Sequence, residues 1–209
     1  SIIEQAAVRA DQSNLFRDAE PLLLVAGGSQ GAHSINHHVV ESLPKTASHL
    51  RDWRIVHQTG SKDVEQVRAA YDATSVRAEV VPFIHDMARV YSRATLAIAR
   101  AGATTLAELA VAGIPAILLP YPLATANHQW HNAQAFGRAG AAVVIDDRPE
   151  PGRSSSALIS AILPLVRLPE LRREMRLAVL KISKPAAAAA VVEEILQVIR
   201  TSCTVRQSA

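Results

Sequence analysis

Short apolar runs alternate with segments of helical periodicity through most of the chain, and this alternation constrains the fold more than any other feature. Each run is four or five residues long and mostly apolar, as expected for strands of a parallel sheet covered by helices on both faces. The predicted strands are Leu22–Ala26, Trp53–His57, Ala78–Val81, Thr95–Ala99, Ala116–Leu119 and Ala141–Ile145. Repeated β–α units with short turns predict an α/β fold with a Rossmann-like, doubly wound parallel sheet.

The segments between these runs carry apolar residues at helical spacing and supply the covering helices. Pro44, Gly113 and Gly140 are predicted to end three of them, because proline and glycine terminate helices. Helices are predicted at residues 30–43, 61–71, 86–92, 104–112, 127–139, 157–166, 169–181 and 185–200, with a loop at 147–156. The predicted organisation is a lead-in or linker (1–20), a Rossmann-like ligand-binding domain (21–183), a C-terminal helix (184–200) and a flexible tail (201–209).

Charge and cysteine content exclude several classes of protein. The 22 Lys and Arg residues nearly balance the 19 Asp and Glu residues, and aromatic residues make up only 4%. A basic stripe or a stacking platform for nucleic acid is therefore not expected. Cys203 is the only cysteine, which excludes an intrachain disulfide and a cysteine-based metal site. No apolar run reaches the ~18 residues of a membrane span, and residues 1–20 do not have the pattern of a signal peptide.

The segment Gly27–Ala32 follows the first predicted strand directly and opens the first predicted helix. Glycines permit a sharp turn and close approach to a ligand, and free amides at a helix start favour a phosphate. Ser29 adds a hydroxyl donor to these amides. The spacing matches neither a P-loop nor the G-x-G-x-x-G fingerprint, and a tight strand–helix turn with Ser29 at the N-cap explains the same residues equally well.

A second glycine-bearing turn, Ala101–Glu108, also follows a predicted strand and opens a helix. Thr104 and Thr105 offer amides and hydroxyls at the positive end of that helix. Glu108 lies one turn further on, where its carboxylate can accept two hydrogen bonds from a vicinal diol such as a ribose. A capping box between a threonine and Glu108 is the structural alternative. Two such turns at one sheet edge can hold a diphosphate between them, which one alone cannot.

A polar cluster follows the proline-stiffened turn Pro120–Pro122. His128, Gln129 and Asn132 lie at the start of a predicted helix, where amide and imidazole groups can contact sugar hydroxyls. Helix capping by solvated polar residues is the alternative. His128 and His131 have no carboxylate or cysteine partner with metal-ligand spacing, so no metal site is predicted here.

The remaining polar positions support several interpretations. His33 and His37 share a helix face by their i,i+4 spacing, and a solvated face is favoured over a zinc site. His57 ends a predicted strand at the ligand edge, where ligand contact and buried packing are equally compatible with the sequence. Ile84 is expected to pack in the core, while its backbone, in a turn, can read the edge of a base. No Ser-His-Asp array or carboxylate pair indicates hydrolysis, and no catalytic residue is assigned.

Five ordered motifs together resemble one enzyme family. They are LLLVAGGSQGAHSIN (22–36), HQTG (57–60), FIHDM (83–87), ARAGATTLAELAVAGIPAILLPYP (99–122) and NHQWHNA (127–133). The chain resembles the C-terminal domain of the lipid II synthases, the UDP-N-acetylglucosamine:N-acetylmuramyl-(pentapeptide)-pyrophosphoryl-undecaprenol N-acetylglucosaminyltransferases of peptidoglycan synthesis. The resemblance is dense over residues 21–145 and looser beyond them.

The resemblance implies a GT-B architecture, in which two Rossmann-like domains face a cleft and this chain supplies the half that binds UDP-N-acetylglucosamine. It implies that Ser29 and the Thr104–Thr105 helix start hold the phosphates. It also implies that the main chain of Ile84 reads uracil and Glu108 binds the ribose, while His128 and Gln129 contact the sugar. The implied donor-binding set is Gly28, Ser29, Gln30, Ile84, Gly102, Ala103, Thr104, Thr105, Glu108, His128 and Gln129, with His57 and Asn132 as further candidates. No cofactor and no metal are implied in the donor site.

The resemblance further implies an inverting transfer, in which the muramyl 4-hydroxyl of lipid I attacks the anomeric carbon and UDP leaves. The family places the general base, the acceptor site and the membrane-docking patch in an N-terminal domain. The residues before the first strand are too few to form that domain, so we expect this chain alone to bind UDP-sugar without turnover. Lipid I would then require an N-terminal domain or a partner chain, at the cytoplasmic face of the bacterial plasma membrane.

Two other interpretations of the sequence stay open. The chain can be a subunit of another UDP-sugar glycosyltransferase that needs a partner chain. It can also be a non-catalytic interaction module that kept the fold. Measuring whether the chain binds UDP-sugars, and which one it prefers, distinguishes these two interpretations from a donor-binding half of a lipid II synthase.

Overall fold

The computed structural model describes residues 20–28, 31–147 and 153–207, with side chains described up to residue 199. Ser29, Gln30 and all but the last residue of the predicted lead-in lie outside these ranges. The strands are β1 (Leu22–Ala26), β2 (Arg54–Gln58), β3 (Arg77–Val81), β4 (Ala94–Ala99), β5 (Ala116–Leu118) and β6 (Ala142–Val144). The helices are α1 (His33–Thr46), α2 (Val64–Asp72), α3 (Met87–Tyr91), α4 (Ala103–Ala112), α5 (His128–Arg138), α6 (Arg153–Arg167), α7 (Pro169–Ile182) and α8 (Ala187–Gln207).

The six strands form one sheet in the order β3-β2-β1-β4-β5-β6, and every neighbouring pair is parallel. The chain builds outward from β1 to β3 and then returns to the centre to place β4 beside β1. This order confirms the predicted doubly wound α/β fold. It also makes the carboxyl ends of β1 and β4 the topological switch point, where open sheets of this class bind ligands.

Alternate residues of β1 feed two separate cores, one on each face of the sheet. Leu23 and Val25 pack with apolar residues of α1 and α6. Leu22 and Leu24 pack on the other face with residues of α3, α4 and α5. The second core contains many alanines, which let helices approach the sheet closely. Burial on both faces explains why β1, β4 and β5 are almost wholly apolar, whereas β3, at the sheet edge, carries the exposed Arg77 and Glu79.

Three predicted boundaries are wrong. Pro44 was expected to end α1 but lies inside it, and the helix continues to Thr46. The buried Leu43 and Thr46 anchor this last turn, and their burial offsets the backbone hydrogen bond that Pro44, which has no amide, cannot donate. The loop predicted over 147–156 gives way to α6 at Arg153.

The third wrong boundary is the end of the last helix, which was predicted at residue 200. The backbone of α8 stays helical to Gln207, since no glycine or proline interrupts it. Its apolar side chains are largely solvent-exposed: Val191, Val192, Ile195, Leu196, Val198 and Ile199 are each at least 45% exposed. Among the described residues, none of the helices combines the length and apolarity needed to cross a membrane.

Candidate functional site

The two glycine-bearing turns lie side by side at the carboxyl edge of the sheet. Ala26 ends β1 directly opposite Ala99, which ends β4. Gly27 and Gly28 follow the first strand and Gly102 follows the second, three residues beyond it. The prediction that both turns share one edge is confirmed, and they flank the switch point of the sheet.

In the first turn, neighbouring backbone leaves no room for side chains at Gly27 and Gly31. A Cβ on Gly27 would overlap Ala32, and a Cβ on Gly31 would overlap the carbonyl group of Thr59. Gly31 also has φ +76°, a conformation that favours glycine. Its amide donates to the Gly28 carbonyl at 2.9 Å. Helix α1 has Ala32 at its N-cap with no side-chain capping bond, so the alternative of Ser29 at the N-cap is wrong.

The second turn is open. Gly102 is the N-cap of α4 in an extended conformation, and no side chain caps the helix. Among the described residues, apart from the two chain neighbours of Gly102, the atom nearest to a Cβ placed there would be the Thr105 hydroxyl, 3.9 Å away. In the described part of the chain, no backbone acceptor takes the amides of Ala103, Thr104 and Thr105. These amides point out of a helix N-terminus and form an anion site that a ligand can satisfy.

Glu108 is held by Tyr91 instead of by the helix start, so the capping-box alternative is wrong. The Tyr91 hydroxyl donates to Glu108 Oε2 at 2.9 Å. Burial raises the pKa of Tyr91 well above its usual value, and the Glu108 charge and hydrogen bond add to this. Tyr91 therefore stays a donor at all physiological pH values, and it fixes the orientation of the half-buried Glu108 carboxylate. Tyr91 could not be predicted from the sequence, because its contact with α4 is purely tertiary.

Ile84 is buried, as predicted, and its amide already has a partner. The amide donates to Gln58 Oε1 at 3.2 Å, while no described residue donates to the Ile84 carbonyl. The turn lines one end of an open cavity of about 480 Å³, which runs along the sheet to Leu22 and Arg54 at the amino ends of β1 and β2. This arrangement leaves the Ile84 carbonyl as the backbone group that is ready to receive a donor from a ligand.

Gln58 is a second residue that sequence analysis missed. It is 2% exposed and ends β2, between β1 and β3. Its Nε2 donates to the Gly28 carbonyl at 2.6 Å, opposite to the bond that its oxygen accepts from Ile84. Only its place in the motif HQTG hinted at a role.

His57 does not face the ligand edge, so the suggestion of ligand contact is wrong and the packing interpretation holds. The ring is fully buried, its Nε2 donates to Asn36 Oδ1 at 3.0 Å, and its Nδ1 accepts from the Tyr71 hydroxyl at 3.3 Å. Burial lowers its pKa to about 3, against an opposing effect of Asp63. Because side chains alternate along a strand, His57 faces the core where Gln58 faces the neighbouring turns.

The third polar cluster begins with strained backbone. Ala126 and Asn127 both have positive φ, 49° and 53°, a left-handed conformation that costs non-glycine residues energy. His128 follows on the exposed surface, and its Nδ1 donates to the Thr125 carbonyl at 2.7 Å. The ring Nε2 is then left to face solvent or a ligand.

Gln129 and Asn132 connect this cluster to the rest of the edge. Gln129 Oε1 accepts from the Tyr121 amide at 3.0 Å, which leaves its amide nitrogen as a donor. Asn132 Nδ2 donates to the Ala101 carbonyl at 3.2 Å and so ties α5 to the second glycine turn. A cavity of about 220 Å³ opens between the Pro120–Pro122 turn and Trp130.

A buried network of charged and polar residues, which was not predicted from the sequence, stabilises the carboxyl edge of the sheet. Arg100 donates to the Leu119 carbonyl at 2.8 Å, to Asp147 Oδ2 at 2.5 Å and to the Ser34 hydroxyl at 2.6 Å. Burial raises the pKa of Asp147, but hydrogen bonds from His38 and Ser34 and the charge of Arg100 outweigh this and hold the pKa below its usual value. The network joins α1 and the ends of β4, β5 and β6.

The histidines do not form a metal site. His33 pairs with Asp63 at 3.0 Å and His37 with Glu41 at 3.4 Å. Within the described ranges, no group of three or more His, Cys, Asp or Glu side chains is arranged to hold a metal ion. The expectation of a metal-free donor site stays a prediction.

This doubly wound parallel sheet, with two glycine turns at its switch point, is the fold of one domain of a GT-B glycosyltransferase. Residues 22–191 match the family model of the glycosyltransferase family 28 C-terminal domain. The chain belongs to this family.

Known relatives agree with that assignment. The UDP-N-acetylglucosamine–N-acetylmuramyl-(pentapeptide) pyrophosphoryl-undecaprenol N-acetylglucosamine transferase of Anaeromyxobacter sp. (strain Fw109-5) is 44% identical over 180 residues, which are 86% of this chain and 46% of the relative. The enzyme of the same name from Syntrophus aciditrophicus is 43% identical, over 85% of this chain and 48% of the relative. The crystal structure of Acinetobacter baumannii MurG superposes with a TM-score of 0.75 at 32% identity, covering 87% of this chain and 53% of that one. This chain thus spans about half the length of these relatives.

Proposed function

We propose that the β1/β4 edge binds UDP-N-acetylglucosamine as the donor of a glycosyl transfer. The observation that carries this proposal is the open start of α4, where three amides have no backbone acceptor among the described residues, beside the glycine turn of β1. The donor is suggested by the names of relatives that are 44% and 43% identical to this chain.

The diphosphate would lie between the two turns. The amides and hydroxyls of Thr104 and Thr105 face it from the positive end of α4, with the Ala103 amide beside them. Gly28 and Gly102 let the phosphates approach the backbone, and Ser29 and Gln30 would complete the first turn. Helix dipoles and hydroxyl donors can balance the charge of the diphosphate, so we propose that the site needs no metal.

The nucleoside would extend from this point toward α3 and β3. The Glu108 carboxylate, anchored by Tyr91, accepts hydrogen bonds from the ribose hydroxyls. The Ile84 carbonyl accepts a bond from the uracil.

The sugar would face the start of α5. His128 and Gln129 each have one polar group engaged within the chain and another left for a hydroxyl. Asn132 acts indirectly, because its amide is bonded to the Ala101 carbonyl of the second turn.

We propose that the reaction is the one for which the relatives are named, transfer of N-acetylglucosamine to an undecaprenol-linked muramyl pentapeptide. An acceptor hydroxyl attacks the anomeric carbon with inversion, and UDP leaves with its new charge stabilised by the two turns. We assign no general base in this chain, and we place the base and the lipid I site in the half of the relatives' length that this chain does not span. Because the acceptor is a lipid, we propose a location at the cytoplasmic face of the bacterial plasma membrane.

The direct test is titration of the 209-residue chain with UDP-N-acetylglucosamine, UDP-glucose and UDP-galactose. We expect the N-acetyl sugar to bind most tightly, with the same affinity before and after EDTA. Preference for UDP-galactose would favour another transferase subunit, and no binding of any UDP-sugar would favour an interaction module. A large loss of affinity in EDTA would reveal a metal.

A further inference from the structure

Gln58 lies between the turn proposed to hold the diphosphate and the turn proposed to read the base, and it bonds to both. Its Nε2 donates to the Gly28 carbonyl at 2.6 Å, and its Oε1 accepts from the Ile84 amide at 3.2 Å. The side chain is 2% exposed. Both of its polar atoms are thus engaged, each with the backbone of a different turn.

The strand order makes this bridge possible. β2 lies between β1 and β3, and Gln58 stands opposite Ala26 on one side and Val81 on the other. Gly28 comes two residues after Ala26, and Ile84 comes three residues after Val81. A side chain at the end of the middle strand can therefore reach the turns that follow both outer strands.

We propose that Gln58 is a positioning residue that sets the spacing between the phosphate turn and the base turn, so that one nucleotide can contact both. The inference rests on the proposed function. Bridging a carbonyl and an amide requires a donor and an acceptor at the same end of one side chain, which a carboxamide provides. Asparagine is one methylene shorter, and an ionised glutamate has no donor.

Gly28 shows why such a tie is needed. It has φ +95°, and a Cβ placed on it would meet no atom of the described residues within 4 Å, so these residues do not pack closely around it as they do around Gly27 and Gly31. Its carbonyl is held instead by Gln58 and by the Gly31 amide. Because a peptide unit is planar, fixing the carbonyl restrains the rest of that unit.

Gln58→Glu breaks one half of the bridge. The introduced carboxylate still accepts from the Ile84 amide but repels the Gly28 carbonyl. At pH 8 we expect UDP affinity to fall about tenfold, the loss of one buried bond, while uridine affinity changes less than about twofold on the same scale. Burial raises the pKa of a carboxyl, so near pH 5 the protonated group can donate again. The ratio of variant to wild-type UDP affinity should then recover.

Gln58→Met removes both hydrogen bonds but keeps a side chain of similar size. We expect it to weaken the binding of uridine as well as that of UDP. Gln66→Glu, on the exposed surface of α2, is the matched control and should change neither affinity. The Ile84 amide proton, followed by NMR without ligand, should exchange faster in Gln58→Met than in Gln58→Glu.

The outcomes separate the inference from the proposed function. If wild-type chain binds neither UDP nor uridine, the proposed function fails and the positioning role fails with it. If wild-type binds UDP but Gln58→Glu binds UDP and uridine as well as wild-type at pH 8, only the positioning role is overturned. Equal losses for UDP and uridine without recovery at pH 5 would also overturn it, because they indicate general loosening of the site.

Discussion

The two glycine turns at the β1/β4 edge look alike in sequence but are built in opposite ways. In the first turn, Gly27 and Gly31 lie so close to neighbouring backbone that neither has room for a side chain. In the second, the surroundings of Gly102 are open, and three amides of α4 have no backbone acceptor in the described chain. The first turn is closed by steric contacts at Gly27 and Gly31, while the Gly28 carbonyl is held by hydrogen bonds. The second turn is an open anion site at a helix N-terminus.

The difference teaches that a glycine motif does not reveal which physical requirement glycine meets. Close packing and positive φ require it at Gly31. At Gly102 the requirement would come from the ligand, because the protein itself leaves the space empty. The comparison predicts that substitutions at Gly27 and Gly31 lower stability most, and that substitutions at the second turn lower ligand affinity with little loss of stability.

The largest expected effect is on folding. Gly31→Ala places a Cβ against the Thr59 carbonyl group at positive φ, and we expect it to lower the free energy of unfolding by about 3 kcal/mol or more. Gly102→Ala should lower it by less than about 1 kcal/mol. Urea denaturation of both variants measures the difference. Equal losses of unfolding free energy in the two variants would contradict the distinction between a closed first turn and an open second turn.

The hydrogen bonds that hold the Thr59 carbonyl next to the first turn should make stability depend on pH. His57 bonds to Asn36, whose amide holds the Thr59 carbonyl at 2.9 Å. Since burial lowers the His57 pKa from 6.5 to about 3, the unfolded chain binds a proton in this range that the folded chain does not. The contribution of His57 to the free energy of unfolding is therefore fully present above pH 6.5 and is lost as the pH falls toward 3.

We expect His57 to contribute a slope of up to about 1.4 kcal/mol per pH unit in that window. Denaturation at several pH values measures the slope. His57→Gln should be less stable at pH 7, because it disturbs the buried bonds, but it should have a flatter profile. A variant with an unchanged slope would show that other groups cause the acid sensitivity.

The open turn should control affinity. Glu108→Ala removes the proposed ribose acceptor and leaves the buried Tyr91 hydroxyl without its partner, so we expect UDP binding to weaken by about 1–3 kcal/mol. Calorimetric titration with UDP measures the change. Unchanged affinity would count against the ribose role.

Tyr91→Phe gives the smallest expected effect, because it removes only the anchor of Glu108. We expect UDP binding to weaken by about 0.5–1 kcal/mol, with the carboxylate still present. If this variant lost as much affinity as Glu108→Ala, the hydroxyl itself would have to contact the nucleotide.

Much of the fold could be predicted from the sequence, because its signals are local. Apolar runs such as Leu22–Ala26 and glycines such as Gly113 mark strand and helix ends in the chain itself. The convergence of the two turns at one edge followed from the parallel sheet. The predicted end of α1 at Pro44 was wrong, because burial of Leu43 and Thr46 stabilises a further helical turn despite the proline.

The parts of the site that were not predicted depend on contacts distant in sequence. Gln58, Tyr91 and Arg100 each act through a partner that lies 17 or more residues away in the chain. Nothing in a single sequence distinguishes them from ordinary polar residues. The positive φ of Ala126 was equally hidden, since alanine seldom adopts it.

The central claim is that a diphosphate lies between the first glycine turn and the start of α4. Its most direct test is an NMR titration of the wild-type chain with UDP and, separately, with uridine, following the backbone amides of Gly28, Gly31, Ala103, Thr104 and Thr105. The account predicts that UDP shifts amides on both turns together at one affinity, while uridine leaves the Thr104 and Thr105 amides nearly unchanged. Shifts confined to one turn, or equal shifts with uridine, would contradict it.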